Sequence, residues 1–217
     1  MKKSIKSNLL NEGYKKNALL FDRAEGSYIF EKNKKFIDMS NGAGTVFLGH
    51  NNKIFKKSLK KYLKKKFSNF AHPNKAAEEL SNTLKKIFPE FSKFILCSTG
   101  AEANIKALRI SRAVSNKKIV VNVTGSWHGS VDQLLFSSDI KLKKKELSHG
   151  LDDSLKKNLV YIPYNNIDKT KSILDKIKNK ISCVFIEPIQ GGLPTKNCIK
   201  YLKFLSKYCK KNQIILI

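Results

Sequence analysis

No apolar run in the 217 residues approaches the ~18 residues of a membrane-spanning helix. The opening MKKSIKSNLLNEGYKKN is basic but lacks the apolar stretch of a secretory signal. A soluble cytoplasmic protein is therefore expected. Cysteine is scarce: Cys97, Cys183, Cys198 and Cys209 are dispersed, with no C-x-x-C pair. That argues against a zinc site or a disulfide framework and for reduced, buried thiols. Arginine is scarcer still, with Arg23, Arg109 and Arg112 against 40 lysines. Proteins that read phosphates and bases lean on the planar arginine fork. Acid is in short supply too: 17 Asp and Glu face 43 Lys and Arg, for a net charge of +26. The lysines are spread along the whole chain, so the charge reads as compositional drift on solvated faces. Nonspecific attraction to polyanions follows from it physically. With five Pro, 11 Gly and 41% hydrophobic residues, the chain is not collagen-like, mucin-like or disordered. At this length it buries about 70% of its unfolded surface, enough for a core without staples.

Residues 1–25 read as a polar arm. SYIFEKNKKFIDM reads as a hairpin turning at Lys32–Lys35, followed by the glycine-rich SNGAGTVFLGHNN. Residues 54–67 pattern as a lysine-studded surface helix with Phe55, Leu59, Tyr62 and Leu63 on one buried face. A second helix starts near Asn74 and stops before Pro89. From residue 93 the pattern alternates. KFILC, KIVVNVTG, LVYIPY, CVFIEPIQGG and QIILI read as strands. Between them lie helices AEANIKALRISRAV, NIDKTKSILDKIKN and NCIKYLKFLSKYCKK, and a polar connection over 138–158. In the first of these, Ala103, Ile105, Leu108, Ile110 and Ala113 are placed on the inner side. Such alternation means βαβ units, a mainly parallel sheet and an α/β fold. The expected division is an N-terminal arm, hairpin and helices over 1–90 and an α/β domain over 91–217. Ile217 closes an apolar run with nothing after it, so the chain is expected to be the front part of a longer protein.

Three polar segments follow strands. In CSTGAEAN, Thr99, Gly100 and Ala101 sit where a strand turns into a helix, and free N–H groups there suit a phosphate ester. The same residues also read as an ordinary cap with Ser98 or Thr99 capping. In GSWHGS, the single tryptophan, Trp127, could stack on a flat ring with His128 donating a hydrogen bond beside it. A half-buried Trp and a loop His are the plain alternative. In FIEPIQGG, Glu187 and Gln190 follow a buried strand, and a loop carboxylate near solvent is the alternative. All three fall at carboxyl ends of strands, the edge where open α/β sheets bind ligands. Together they suit a flat, phosphorylated heteroaromatic molecule.

These residues resemble a known family. STGAEANIKALRISRAV, WHG, EPIQGG and FIDMSNGAGTVFLGHNN are similar, in order and spacing, to segments of the class III aminotransferases, the pyridoxal-phosphate enzymes of fold type I. HPNKAAEELSNTLKKIFPEFSKFILCSTGAEA resembles the glutamate-1-semialdehyde 2,1-aminomutase branch. The resemblance implies an incomplete fold type I large domain and a pyridoxal 5′-phosphate cofactor. It places the phosphate at Thr99, Gly100 and Ala101, where many members carry Thr or Ser at the position of Ala101. It puts Trp127 on the pyridine ring with His128 beside it, Glu187 and Gln190 near the ring edge, and Ser40 and Asn41 in the substrate pocket. It implies amino-group transfer on a small-molecule amino donor or acceptor and a homodimer for the full-length parent, with no metal. The family's ring-nitrogen aspartate and its cofactor-binding lysine fall past Ile217 by this resemblance. The chain alone is therefore expected to be inactive and to contribute no catalytic residue. Two other readings stand beside it: a basic nucleic-acid-binding protein, supported by charge alone, and a noncatalytic phosphate-ligand-binding α/β protein.

Overall fold

A computed structural model describes residues 19–64, 72–139 and 141–217. The first 18 residues of the expected arm, and the end of the lysine-studded helix past Lys64, lie outside the described residues. The chain divides into two units, residues 1–72 and 73–217. The helix that follows Asn74 thus goes with the α/β unit rather than with the N-terminal region.

The first unit is built on an antiparallel meander of β1 (Arg23–Glu25), β2 (Tyr28–Glu31) and β3 (Lys34–Ile37). Pairing of Glu31 with Lys34 leaves only Lys32 and Asn33 in the hairpin turn. Lys35 Nζ lies over the Tyr28 ring, 3.7 Å from its centroid, a cation–π contact on the exposed aromatic. The chain then makes the single turn α1 (Asn41–Gly44), with left-handed backbone at Asn41, Gly42 and Ala43. Helix α2 (Lys53–Leu63) starts at Asn52, whose side chain accepts from the amides of Ile54 and Phe55. Its apolar stripe does not meet the expectation of burial: Phe55, Leu59, Tyr62 and Leu63 are all exposed. Segregating lysine from apolar residues decides which face can be buried, and only a packed neighbour buries it.

In the second unit, α3 (Lys75–Ile87) is capped by Asn74 and ends before Pro89. The expected strand KFILC is not one. Residues 91–97 have no regular structure, and Ile95 and Leu96 are exposed. An apolar run becomes a strand only by pairing, and this one pairs with no described strand. Helix α4 (Gly100–Ser115) begins at Thr99 and ends on left-handed Asn116. Four parallel strands follow the expected pattern: β4 (Ile119–Val123), β7 (Leu159–Ile162), β8 (Ile181–Phe185) and β9 (Ile215–Leu216), in the order β7-β4-β8-β9. The 138–158 connection carries the end of a short hairpin, β5 (Phe136–Ser138) with β6 (Lys144–Glu146).

Alternation along β4 sends its side chains to two cores. Val121 and Val123 pack with Leu174 of α5 (Ile167–Ile177) and with Tyr201 and Leu205 of α6 (Cys198–Lys211). Val120 packs with Leu108 of α4 and with Val131, Leu134 and Phe136 of the connection toward β7. Burying each such aliphatic side chain contributes about 1.5–3 kcal/mol. The link from β4 to β7 therefore covers one face, and the links through α5 and α6 cover the other. The order of crossovers reverses between β4 and β8. Open α/β sheets leave a crevice at the carboxyl ends of such a pair.

The inner side of α4 differs from expectation. Leu108 and Ser111 are buried, while Ile105, Ile110 and Val114 are exposed. The inward stripe is small and polar. The Ser115 hydroxyl meets that of Ser182 at 3.1 Å, and Arg112 donates to Gln133 at 2.9 Å. Apolar periodicity cannot find a stripe in which Ser and Ala are used for close approach to the sheet.

Candidate functional site

Thr99 ends the irregular segment with extended backbone and caps α4, its Oγ1 accepting from the Glu102 amide at 3.1 Å. Glu102 turns back to accept from the Ser98 amide at 2.9 Å and pairs with Lys106 at 2.6 Å. The Lys106 ammonium and the Ser98 amide hold its carboxyl below the ordinary value. The acid of the first turn is thus tied to its own flank. Among the described residues, no acceptor meets the amides of Gly100 and Ala101, at the positive end of the helix. A Cβ placed on Gly100 would have nothing within 4 Å, so the space beside this turn is open.

The Trp127–Gly129 loop rises from β4 and lies against that turn. Gly129 has φ +78°, and a Cβ there would sit 3.0 Å from Ala101 Cβ and 3.3 Å from Ala101 N. Only glycine meets both demands. Asn104 Nδ2 reaches across to the His128 carbonyl at 2.9 Å. The Thr99–Ala101 turn and the Trp127–Gly129 loop, expected from separate motifs, are therefore one structure. Trp127 keeps 59% of its surface exposed, a large flat face left open.

His128 faces inward. Its ring is buried, meets Phe185 edge-on at a centroid distance of 5.3 Å, and pairs through Nε2 with Asn122 Oδ1 at 2.8 Å. Burial depresses its pKa to about 4, with the Glu187 carboxylate acting in the opposite direction. The ring is neutral at pH 7.

The β8 loop ties into the same place. Glu187 accepts from the Trp127 amide at 3.1 Å and from the Gly191 amide at 2.9 Å. Buried Gln190 donates to the Thr124 carbonyl at 2.8 Å and to Ser126 Oγ at 3.1 Å. It fits because Gly125, at φ +87°, has no Cβ; one there would be 2.8 Å from Gln190 Oε1. These two side chains lace the β4 and β8 loops together at the crevice.

The structure thus brings Thr99, Gly100, Ala101, Trp127, His128, Glu187 and Gln190 to one edge. Ser40 and Asn41 belong to the first unit, where their geometry is local. Asp38 Oδ1 accepts from Ser40 N, Ser40 Oγ and Asn41 N at 2.9, 2.6 and 3.1 Å, and Oδ2 meets His50 Nε2 at 2.8 Å. The Ser40 hydroxyl first, then His50, hold the Asp38 carboxyl down at about 2.

Sequence reasoning missed Asn122, Asn104 and Ser126. Asn122 had a signal: one amide interrupting the apolar strand IVVNV, where an unpaired polar group is costly.

Comparison with known proteins bears on the family and the fold. The aminotransferase class-III family model matches residues 9–217. Glutamate-1-semialdehyde 2,1-aminomutase of Nitrosopumilus maritimus is 34% identical over 202 residues, covering 90% of this chain and 46% of the relative. The enzyme of that name from Wigglesworthia glossinidia brevipalpis is 30% identical over 204 residues, covering 90% and 46%. Among solved structures, an omega-transaminase from Sphaerobacter thermophilus superposes with a TM-score of 0.80 at 20% identity, covering 90% of this chain and 47% of that one. A glutamate-1-semialdehyde aminomutase from Pseudomonas aeruginosa PAO1 gives 0.76 at 17%, covering 91% and 44%. The chain spans about half the length of the curated relatives it matches.

Proposed function

The chain belongs to the class-III aminotransferases, and we propose that it carries the phosphate turn and ring platform of a pyridoxal-phosphate-dependent protein that transfers amino groups. The observation that carries this reading is the contact of Gly129 with Ala101. It sets two unengaged helix-start amides beside an exposed indole at the crevice of the sheet.

The residues present fit the cofactor. The amides of Gly100 and Ala101 would hold its phosphate, and the open space at Gly100 admits it. Trp127 would cover the ring, and His128 and Glu187 lie on the loops around it. When bound, pyridoxal phosphate supplies the electron sink for chemistry at an amine-bearing carbon. The chain's own residues bind and orient: Glu187 holds the Trp127 loop, Gln190 holds the β4 turn, and Asn104 fixes the His128 backbone. We assign Ser40 and Asn41 to substrate binding on the family resemblance alone.

For the whole protein we assign a transaminase or an activity like glutamate-1-semialdehyde 2,1-aminomutase, on a small amino donor or acceptor. We assign it also a cytoplasmic location and a homodimeric state. The uncovered Ile105, Ile110 and Val114 of α4 support a further packing surface. Among the described residues no helix is long and apolar enough to cross a membrane.

Pyridoxamine 5′-phosphate is the probe of choice, since without an aldehyde it forms no adducts with the 40 lysines. Trp127 is the only tryptophan, so its fluorescence reports the site. Saturable quenching by pyridoxamine phosphate is expected, with much weaker quenching by pyridoxamine or by adenosine monophosphate. Equal quenching by the nucleotide would favour a general phosphate-binding protein, and no quenching would overturn the reading.

A further inference from the structure

Two helices show what lysine does in this chain. Helix α6 carries Lys200, Lys203, Lys207, Lys210 and Lys211 and no carboxylate. Its other face, with Tyr201, Leu205, Tyr208 and Cys209, is buried, so its charge is the solvated back of a packed helix. Helix α2 has the same division of residues without the packing. Lys53, Lys56, Lys57, Lys60, Lys61 and Lys64 line one open groove along the helix. By helical spacing the other side carries Ile54, Phe55, Leu59 and Leu63, and these keep 78%, 61%, 46% and 68% of their surface exposed. The lysines also repel one another. Lys53 and Lys57, Lys56 and Lys60, Lys57 and Lys61, and Lys60 and Lys64 each stand four apart, the spacing at which like charges meet and weaken a helix. Between Asp38 and Glu78 the sequence holds nine lysines and no carboxylate.

A partner for α2 therefore has two demands to meet, an apolar stripe in water and a row of unneutralised charge. A nucleic acid meets the second only, since phosphates on the lysines would leave Phe55 and Leu63 wet. An apolar protein groove meets the first only. An anionic lipid leaflet meets both. The stripe enters among the acyl chains, and Lys56 and Lys61, at its two borders, reach the headgroups on their flexible stems. A helix is about 10–12 Å across, close to the screening length of about 8 Å at physiological salt, so the lysines on the far side still feel the surface. We propose that α2 is a membrane-surface helix, laying Ile54, Phe55, Leu59 and Leu63 into an anionic leaflet and its lysines over the headgroups. The contact is reversible and in the plane of the membrane; the 11 residues of α2 are too few to cross it. The residues proposed to hold the cofactor belong to the other unit, and the proposal does not depend on them.

The test is flotation of this chain at physiological salt with vesicles of phosphatidylcholine alone, and with vesicles of phosphatidylcholine and phosphatidylglycerol in equal parts. Binding to the mixed vesicles only is expected. Phe55→Ser with Leu59→Ser keeps the charge and removes the stripe; both residues are exposed, so no core is lost. Affinity should fall about tenfold or more. Lys56→Gln, Lys57→Gln, Lys60→Gln and Lys61→Gln together keep the stripe, and affinity should again fall about tenfold or more. The matched set on α6, Lys200→Gln, Lys203→Gln, Lys207→Gln and Lys210→Gln, removes the same charge and should change affinity about twofold or less. Phe55→Trp, read in a Trp127→Phe background, should shift its emission to the blue on the mixed vesicles. A wild type that does not float, equal losses for the two lysine sets, or a serine pair that binds as wild type overturns the proposal. So does a serine pair that dissociates a dimer without changing flotation, which would give the stripe to a second copy of the chain. Polynucleotide binding weakened by the α2 glutamines, with the Phe55→Trp emission unmoved by vesicles, would give the helix to nucleic acid and overturn it too.

Discussion

Gly129 packs against the backbone of Ala101 while Gly100, one residue earlier in that turn, faces open space, and alanine at each should do opposite things. At Gly129 the backbone is left-handed, φ +78°, and an added Cβ would stand 3.0 Å from Ala101 Cβ, 3.2 Å from its Cα and 3.3 Å from its N. The conformation costs roughly 1–2 kcal/mol for a residue with a Cβ. Overpacking against backbone that cannot swing aside costs about 1–3 kcal/mol more. Gly129→Ala should therefore lose about 2–5 kcal/mol of stability, a large part of a typical 5–15 kcal/mol total, and should push the Ala101 amide off its position. At Gly100 the backbone is not left-handed, and a Cβ would meet nothing within 4 Å. Gly100→Ala should leave stability unchanged or raise it by up to about 1 kcal/mol, since it stands in the first turn of a helix. Its methyl group would nevertheless occupy the space where a phosphate must come. The assay pairs urea unfolding with quenching of Trp127 by pyridoxamine phosphate. The expected pattern is loss of both stability and affinity for Gly129→Ala, and loss of affinity alone for Gly100→Ala. A Gly100→Ala protein of full stability and unchanged affinity would show that no ligand sits on the turn, and the argument from the open space would fail.

Further outcomes follow from the same geometry. His128 titrates near 4 in the folded chain and at about 6.5 when unfolded. Between those values the unfolded state binds the extra proton. Stability should therefore rise with pH across that window and be lost as pH falls through it, by about 3 kcal/mol in all; urea midpoints of wild type and His128→Gln from pH 4 to 7 give the difference, and equal slopes would count against it. Glu187→Gln removes the carboxylate that favours protonation of this ring, so the His128 midpoint should move further down, read by NMR titration. Cys183, Cys198 and Cys209 are buried and Cys97 is not, so a thiol reagent should label one site fast and three only on unfolding. Ser182→Ala breaks the buried contact with Ser115 and should cost about 1 kcal/mol, measured by urea unfolding.

The order of strands and helices from residue 118 onward was readable because each strand is a short apolar run bounded by turn residues, and each of α5 and α6 carries a lysine-rich outer face. The site was readable for a related reason. Polar residues directly after buried strands can only lie at the carboxyl edge of a parallel sheet, and Trp127 and Glu187, after β4 and β8, do; Thr99 follows no strand, and its turn meets that edge through the Gly129–Ala101 contact. Pairing partners and packing faces were not readable. KFILC has the composition of a strand but pairs with no described strand, and α4 hides Ser111 while exposing Ile105 and Ile110. Both errors have one source. Hydrophobicity measures what a residue would gain from a neighbour, and says nothing of whether the neighbour is there.

The contacts of Glu187 and Gln190 show what these two side chains do in physical terms. Both were assigned to the edge of a ligand ring, yet in the structure their polar atoms hold protein: Glu187 takes two amides, and Gln190 Nε2 donates to a carbonyl and a hydroxyl. With Asn104 on the His128 carbonyl, three segments distant in sequence are cross-linked before any ligand arrives. A ligand then meets amides and an aromatic face already in place, and it need not pay about 0.5–1.5 kcal/mol for each side chain it would otherwise have to order. Removing one lace, as in Gln190→Ala, should therefore weaken binding of pyridoxamine phosphate. The loss should be recovered in part by Gln190→Glu, whose carboxylate can accept a hydrogen bond from the Ser126 hydroxyl but cannot donate to the Thr124 carbonyl. If Gln190→Ala bound as tightly as wild type, the loops would have to hold their places without the lace, and the account of a preassembled edge would be wrong.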